Sequence, residues 1–161
     1  MFWYQKGGFS MEQMFGYKII KILGKGKTGT AYLAEKTDSL PDKKYVLKVL
    51  NKDVSDYNKQ VEIFSGEKYA YQRMSKIGRG VPVLHEFNSN DNYLVKEYVD
   101  GICASELAAT GYGKKGGLED WHFEKMFDMN KRFMDVGIHV DYFPSNFIFT
   151  SDKELYCIDY E

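Results

Sequence analysis

The most confining feature of this chain is a string of glycines set between two strand-like segments. Gly24-Lys25-Gly26-Lys27-Thr28-Gly29 follows YKIIKIL, which begins at Tyr17, and precedes TAYLAEK, residues 30–36. The second segment alternates outward and inward residues as a half-buried strand does. A dinucleotide-binding unit needs a helix directly after its glycines, so that the helix N-terminal amides meet a pyrophosphate; here a strand follows. A GxxxxGK[ST] loop needs glycine at position 21, where Lys21 stands. The string therefore closes an antiparallel hairpin, and alone it fits a plain turn as well as a functional one.

Beyond the hairpin, Pro41 to Lys44 is turn-like, and YVLKVL, residues 45–50, is apolar and β-branched, which predicts a third strand. Residues 56–77 contain no proline, and Ala70, Met74 and Ile77 recur at helical spacing, so a helix is expected there despite Gly66. Residues 81–87 and 92–98 read as two more strands separated by the turn-forming NSNDN.

The second half opens at Asp100-Gly101 and passes through GYGKKGG, residues 111–117, a composition that predicts a mobile loop. Residues 121–136 place Phe123, Met126, Phe127, Phe133 and Met134 at helical spacing, and Gly137 supplies a stop. GIHVDYFPSN follows as a loop, then FIFTSDKELYCIDYE, residues 147–161, as a hairpin turning at Ser151 to Glu154. No internal repeat is present.

Composition narrows the function classes. The 161 residues suit one compact unit, with 43% hydrophobic and 28% charged residues and a rich 16% aromatic content. A formal net charge of -1 argues against nucleic-acid binding through a general basic field. Cys103 and Cys157 form neither a disulfide framework nor a paired metal-ligand motif, so a reducing, cytoplasmic setting is expected. The N-terminal MFWYQKGGFS lacks the apolar stretch of a secretory signal, and no run of about 18 apolar residues occurs, so no membrane association is expected.

Lys48 stands inside the apolar strand YVLKVL. The plain reading is an outward, solvated lysine; the other is an ammonium held by a carboxylate of the following helix, either Glu67 or Glu62. Near the C-terminus, His139, Asp141 and Asn146 fit HxDxxxxN, and Asp159 returns across a short hairpin. A loop presenting one carboxylate to a hydroxyl and an amide oxygen to a metal needs such a hairpin to bring a second carboxylate to that metal. Magnesium takes hard oxygen ligands of this kind.

At these residues the chain resembles the protein-kinase-like superfamily, whose members place these motifs in this order and at closely similar spacing. The resemblance runs from about Tyr17 to Glu161. It implies an α+β protein-kinase-like fold: an N-terminal extension over 1–16, a five-stranded antiparallel N-lobe with one αC-type helix over 17–99, and an abbreviated helical C-lobe over 100–161. It also implies ATP and Mg2+ as cofactors. Gly24, Gly26 and Gly29 would cover the phosphates, and Lys48, held by Glu67, would meet the α- and β-phosphates. Glu97 and Val99 would offer backbone groups to adenine, and Asn146 and Asp159 would bind magnesium. Asp141 would orient the acceptor hydroxyl and take its proton, with His139 bracing the loop through a hydrogen bond.

Several positions depart from the family pattern. Lys96 occupies a usually apolar position at the back of the adenine pocket, where it is expected to pair with an acidic group or reach out of the pocket. Val140 replaces the arginine of HRD, so regulation through a phosphorylated activation loop is not expected. Phe143 replaces a lysine that touches the γ-phosphate, and Asp159-Tyr160-Glu161 resembles the IDWE or IDFE of aminoglycoside and choline kinases, with Glu161 as an added metal-proximal carboxylate. Ending at Glu161, the chain reads as truncated, and the apolar face of the 121–136 helix is expected to be poorly covered. The closest likeness is to small atypical bacterial serine/threonine kinase-like proteins. The function expected first is an ATP- and Mg2+-dependent phosphotransferase acting on a protein hydroxyl; a small-molecule kinase and a pseudokinase or nucleotide-binding interaction module are the alternatives.

Overall fold

Strand patterning dictates the first half of the computed structural model, which describes residues 13–38 and 43–159. Residues 1–12, Pro41 and Asp42 of the expected turn, and Tyr160 and Glu161 lie outside the described residues. The first six strands are β1 (Gln13–Met14), β2 (Tyr17–Lys25), β3 (Gly29–Lys36), β4 (Lys44–Leu50), β5 (Leu84–Asn88) and β6 (Tyr93–Glu97). They form one antiparallel sheet in the order β1-β2-β3-β4-β6-β5.

Five strands were expected here, and the sixth is the two-residue β1, too short to leave a period in the sequence. It folds back on β2 through Phe15 and Gly16, both at positive φ. β5 starts three residues later than its pattern suggests, because Pro82 has no N–H for the ladder and the Val83 N–H goes to the Glu97 carboxylate at 3.1 Å.

Between β4 and β5 runs α1 (Tyr57–Met74), continued by a 3-10 turn over Ser75–Ile77. Its buried residues include Phe64, Glu67, Tyr71 and Met74. The N-terminal half packs Phe64 against Leu50 and Leu94 of the sheet. The C-terminal half passes Tyr71 and Met74 into a second, larger core with residues from the other half of the chain.

That other half comprises β7 (Ile102–Cys103), α2 (Ala104–Thr110), α3 (Asp120–Asp135), β8 (Phe147–Phe149) and β9 (Leu155–Cys157). The three strands form a second antiparallel sheet in the order β7-β8-β9. β7 and α2 carry no period long enough to be read from sequence. Residues 111–117 are held by backbone bonds, with Gly113 N–H donating to the Leu118 carbonyl at 2.8 Å and Leu118 N–H to Gly111 at 3.1 Å.

α3 buries only part of its apolar face, in keeping with the poor cover expected for it. A capping box joins Glu119 and His122, whose Nδ1 accepts the Glu119 N–H at 2.9 Å. The helix then buries His122, Met129 and Phe133, with Met126 packed at the margin. Phe123, Phe127 and Met134 form the neighbouring stripe and stay exposed, Phe127 at 75%. The apolar band of this helix is wider than the surface that the β8–β9 hairpin offers it. Phe123 and Phe127 instead border an apolar groove of about 410 Å³ shared with Ala108, Tyr142 and Phe147.

Candidate functional site

A cleft of about 570 Å³ lies between the first sheet and the β8–β9 hairpin. Gly24, Gly26, Gly29, Val46, Lys48, Lys96, Glu97, Val99, Asn146 and Asp159 all line it. Glu67 stands behind Lys48, and Asp141 lies outside this lining.

The glycine string forms the turn from β2 into β3. Gly26 N–H donates to the Gly29 carbonyl at 2.8 Å, and Asn51, just past β4, holds the turn from below. Asn51 Nδ2 donates to the Gly26 carbonyl at 3.0 Å, and its Oδ1 accepts the Thr30 hydroxyl at 2.9 Å. Only Gly29 is required by the protein's own packing, since a Cβ there would sit 2.7 Å from the Val49 carbonyl oxygen. A Cβ at Gly24 would meet nothing within 4 Å and one at Gly26 only an ordinary contact, so glycine at these cleft-lining positions leaves room for something other than protein.

Strand parity sends Lys48 to the cleft side of β4, while Tyr45 and Leu47 join the core on the opposite face. Lys48 is only 7% exposed, which overturns the solvated reading. Its Nζ lies 2.9 Å from Glu67 Oε2 and 3.4 Å from Asp159 Oδ1. Glu67 is buried, whereas Glu62 is exposed on another face of α1.

Among the described residues Lys96 forms no ion pair with an acid, and it does not leave the pocket, so both expectations for it are corrected. It is buried on β6, its Nζ donates to the Ile158 carbonyl, and that atom lies 5.5 Å from the centroid of the Tyr71 ring. Burial pushes its ammonium below the usual lysine range, and the nearby Glu67 carboxylate opposes that shift. In the adjoining segment Glu97 N–H is taken by the Val83 carbonyl at 2.8 Å. Val99, which lines the cleft, forms no backbone–backbone hydrogen bond among the described residues.

From Ile138 into the HVDYFPSN segment burial alternates: Ile138 and Val140 enter the core, while His139 and Asp141 face outward. An arginine at 140 would therefore be buried among apolar groups in this fold. His139 is exposed and makes no hydrogen bond among the described residues, so it does not brace the loop. The bracing comes from Asn146, whose Nδ2 donates to the Asp141 carbonyl at 3.2 Å while its own carbonyl accepts the Ile158 N–H at 2.8 Å. Asn146 Oδ1, which accepts the Ser145 hydroxyl at 3.4 Å, and the half-exposed Asp159 carboxylate, 3.4 Å from Lys48 Nζ, put two oxygens on the cleft wall.

Two oxygens of hard character suit Mg2+, which readily completes its shell with phosphate oxygens and water. Among the described residues no group of three or more acidic, His or Cys side chains makes a metal site unaided. Glu161 lies outside the described residues. The hairpin is seated by Gly80, whose carbonyl accepts the Cys157 N–H at 2.9 Å. Gly80 has φ +75, and a Cβ there would lie 2.5 Å from the Leu155 carbonyl oxygen, so only glycine permits this approach. Asn51 and Gly80 were missed from sequence; a lone asparagine past a strand and one glycine among loop residues give no pattern to find.

No helix of the described residues is long and apolar enough to cross a membrane. No protein-family model matches the chain. Among curated proteins, "Serine/threonine-protein kinase D" of Synechocystis sp. (strain ATCC 27184 / PCC 6803 / Kazusa) is 33% identical over 98 residues, covering 57% of this chain and 19% of that protein. The chain thus spans about a fifth of the length of this relative. Among solved structures, the apo form of PpkA-294 matches at a TM-score of 0.68 with 14% identity, over 94% of this chain and 60% of the other. The kinase domain of Mycobacterium tuberculosis PknI matches at 0.59 with 18% identity, over 94% and 60%. At these identities the structural likeness speaks for the fold.

Proposed function

We propose that this chain, which has the fold of the protein-kinase-like superfamily, is an ATP- and Mg2+-dependent phosphotransferase that transfers the γ-phosphoryl group to a hydroxyl, first of all a protein serine or threonine. The observation that carries this reading is the Lys48 ammonium, held between Glu67 at 2.9 Å and Asp159 at 3.4 Å in a cleft roofed by the glycine turn. Residues 17–99 would hold the nucleotide, and residues 100–161 would carry the catalytic loop and metal-binding hairpin, in a cytoplasmic setting.

In this reading Gly24 and Gly26 let backbone amides approach the phosphates, Lys48 meets the α- and β-phosphates, and the backbone groups of Val99 meet adenine. Glu97 would add its carbonyl to the base. Asn146 and Asp159 would hold Mg2+, which when bound offsets charge on the β- and γ-phosphate oxygens. The acceptor oxygen bonds to the γ-phosphorus as the bond to the β–γ bridging oxygen breaks, ADP departs, and the hydroxyl proton passes to Asp141. Positioning and charge stabilisation supply most of the catalysis in such a transfer.

The exposed rings of Tyr142 and Phe143 beside Asp141 favour one second reading, a small hydroxyl compound with an apolar face as acceptor. The test is calorimetry of ATP with Mg2+ and with excess chelator, followed by γ-labelled ATP offered protein substrates, a panel of small alcohols, or no acceptor. Binding that strengthens with Mg2+ and label on protein support the first reading, and label on a small alcohol supports the second. Equal affinity with and without Mg2+ removes Asn146 and Asp159 as metal ligands, and Mg2+-dependent binding without transfer leaves a nucleotide-binding module.

A further inference from the structure

We propose that Lys96 is a positioning residue: from the back of the cleft it fixes the peptide that carries Asp159, and so sets the place of the metal-binding carboxylate. The inference rests on the nucleotide site proposed above. Lys96 lies on β6 in register with Val46 of β4 and Leu84 of β5. On the same face of β6, Leu94 packs on Phe64, and Lys96 passes over the ring of Tyr71 farther along α1. An apolar side chain would complete this row without reaching any farther. The lysine continues across the core, and its ammonium donates to the Ile158 carbonyl.

The Ile158 carbonyl and the Asp159 N–H belong to one planar peptide unit, so fixing that oxygen fixes the direction in which the Asp159 backbone starts. The N–H of Ile158 is held as well, by the Asn146 carbonyl at 2.8 Å. The residue before Asp159 is therefore gripped on both sides, by Asn146 from the catalytic loop and by Lys96 from the sheet. Lys48 then receives the Asp159 carboxylate at 3.4 Å. A buried ammonium left without its acceptor would be costly, so the bond between Lys96 and Ile158 is not exchanged for water. Lys96 thus joins β6, α1 and the hairpin.

The test measures affinity for a fluorescent ATP analogue in the full chain while Mg2+ is titrated from excess chelator upward. Lys96→Met keeps a long apolar side chain and removes the ammonium. With the Asp159 peptide released, the Mg2+ concentration that half-stimulates nucleotide binding rises about 10- to 100-fold, the usual cost of losing a group that orients a metal ligand. Metal-free affinity for the analogue changes by a smaller factor than the midpoint does, because Lys48 keeps Glu67 at 2.9 Å and the glycine turn keeps its own backbone bond. Lys96→Gln, whose shorter amide does not reach Ile158, gives the same displaced midpoint and serves if the Met variant does not fold. A midpoint unchanged in the folded variant overturns the role of Lys96 alone. Loss of metal-free affinity with an unchanged midpoint also overturns it, by making Lys96 a contact to the base. Wild-type protein that binds no nucleotide at any Mg2+ concentration overturns the nucleotide site itself.

Discussion

Asn51 holds Gly26 in place: its Nδ2 donates to the Gly26 carbonyl at 3.0 Å while its Oδ1 accepts the Thr30 hydroxyl at 2.9 Å. One amide thus spans the turn and fixes the height of the glycine string above Lys48. Asn51→Ala removes both bonds, each contributing roughly 0.5–1.5 kcal/mol. The expected outcome is ATP affinity about 3- to 10-fold weaker, with faster amide exchange at residues 24–29, measured by calorimetry and hydrogen exchange. Unchanged exchange in that stretch would show the turn to be held by other means.

Lys48→Ala takes one partner out of a buried ion pair. Glu67, 1% exposed, then loses the ammonium that lies 2.9 Å from its carboxylate. Breaking such a pair from one side typically costs about 3–5 kcal/mol. Urea denaturation should register that loss, and the double variant Lys48→Met with Glu67→Leu should recover much of it while still failing to bind ATP. A double variant that binds ATP like wild type would take the pair out of the site.

Asp141→Asn separates binding from chemistry. The side chain keeps its shape and loses its charge at an exposed position outside the cleft lining. ATP affinity should remain within about twofold, while turnover falls by roughly 10²- to 10⁴-fold, the range for losing a general base. Label transfer by the variant at the wild-type rate would remove Asp141 from the mechanism.

The two thiols should differ sharply in reactivity. Burial pushes the Cys157 thiol up to about 12, while Cys103 stands partly exposed at the mouth of the cleft. At pH 8, iodoacetamide should alkylate Cys103 and spare Cys157 until denaturant is added, as read by peptide mass spectrometry. The sign for stability follows from the raised value. The folded state resists thiolate formation, so the Cys157 contribution is complete below an unfolded value near 9 and is lost as pH rises toward about 12.

Local periodicity made part of this molecule legible. The glycine hairpin follows from the alternation around its glycines, the strand bearing Lys48 from its apolar, β-branched run, and the helix bearing Glu67 from helical spacing, all of which the sequence displays directly. What the sequence hides is partnership across distance. Nothing near Lys96 announces a carbonyl at Ile158, and nothing near His139 says that Val140 and Ile138 take the inward places and turn the imidazole outward. The stripe of α3 that becomes buried depends on the width of a hairpin folded 20 or so residues later, so Phe127 and Phe133 look alike in sequence and end 75% and 1% exposed. β7 and α2 are shorter than the window in which any period is visible.

The burial of Ile138 and Val140 beneath the loop that presents Asp141 has a consequence for how the protein responds to its medium. Where an arginine and a phosphate shape such a loop, dissolved ions compete for the contact and weaken it. Apolar burial is indifferent to ionic screening and is strengthened by excluded salts such as sulfate. The shape of this loop should therefore be as firm in concentrated brine as in dilute buffer.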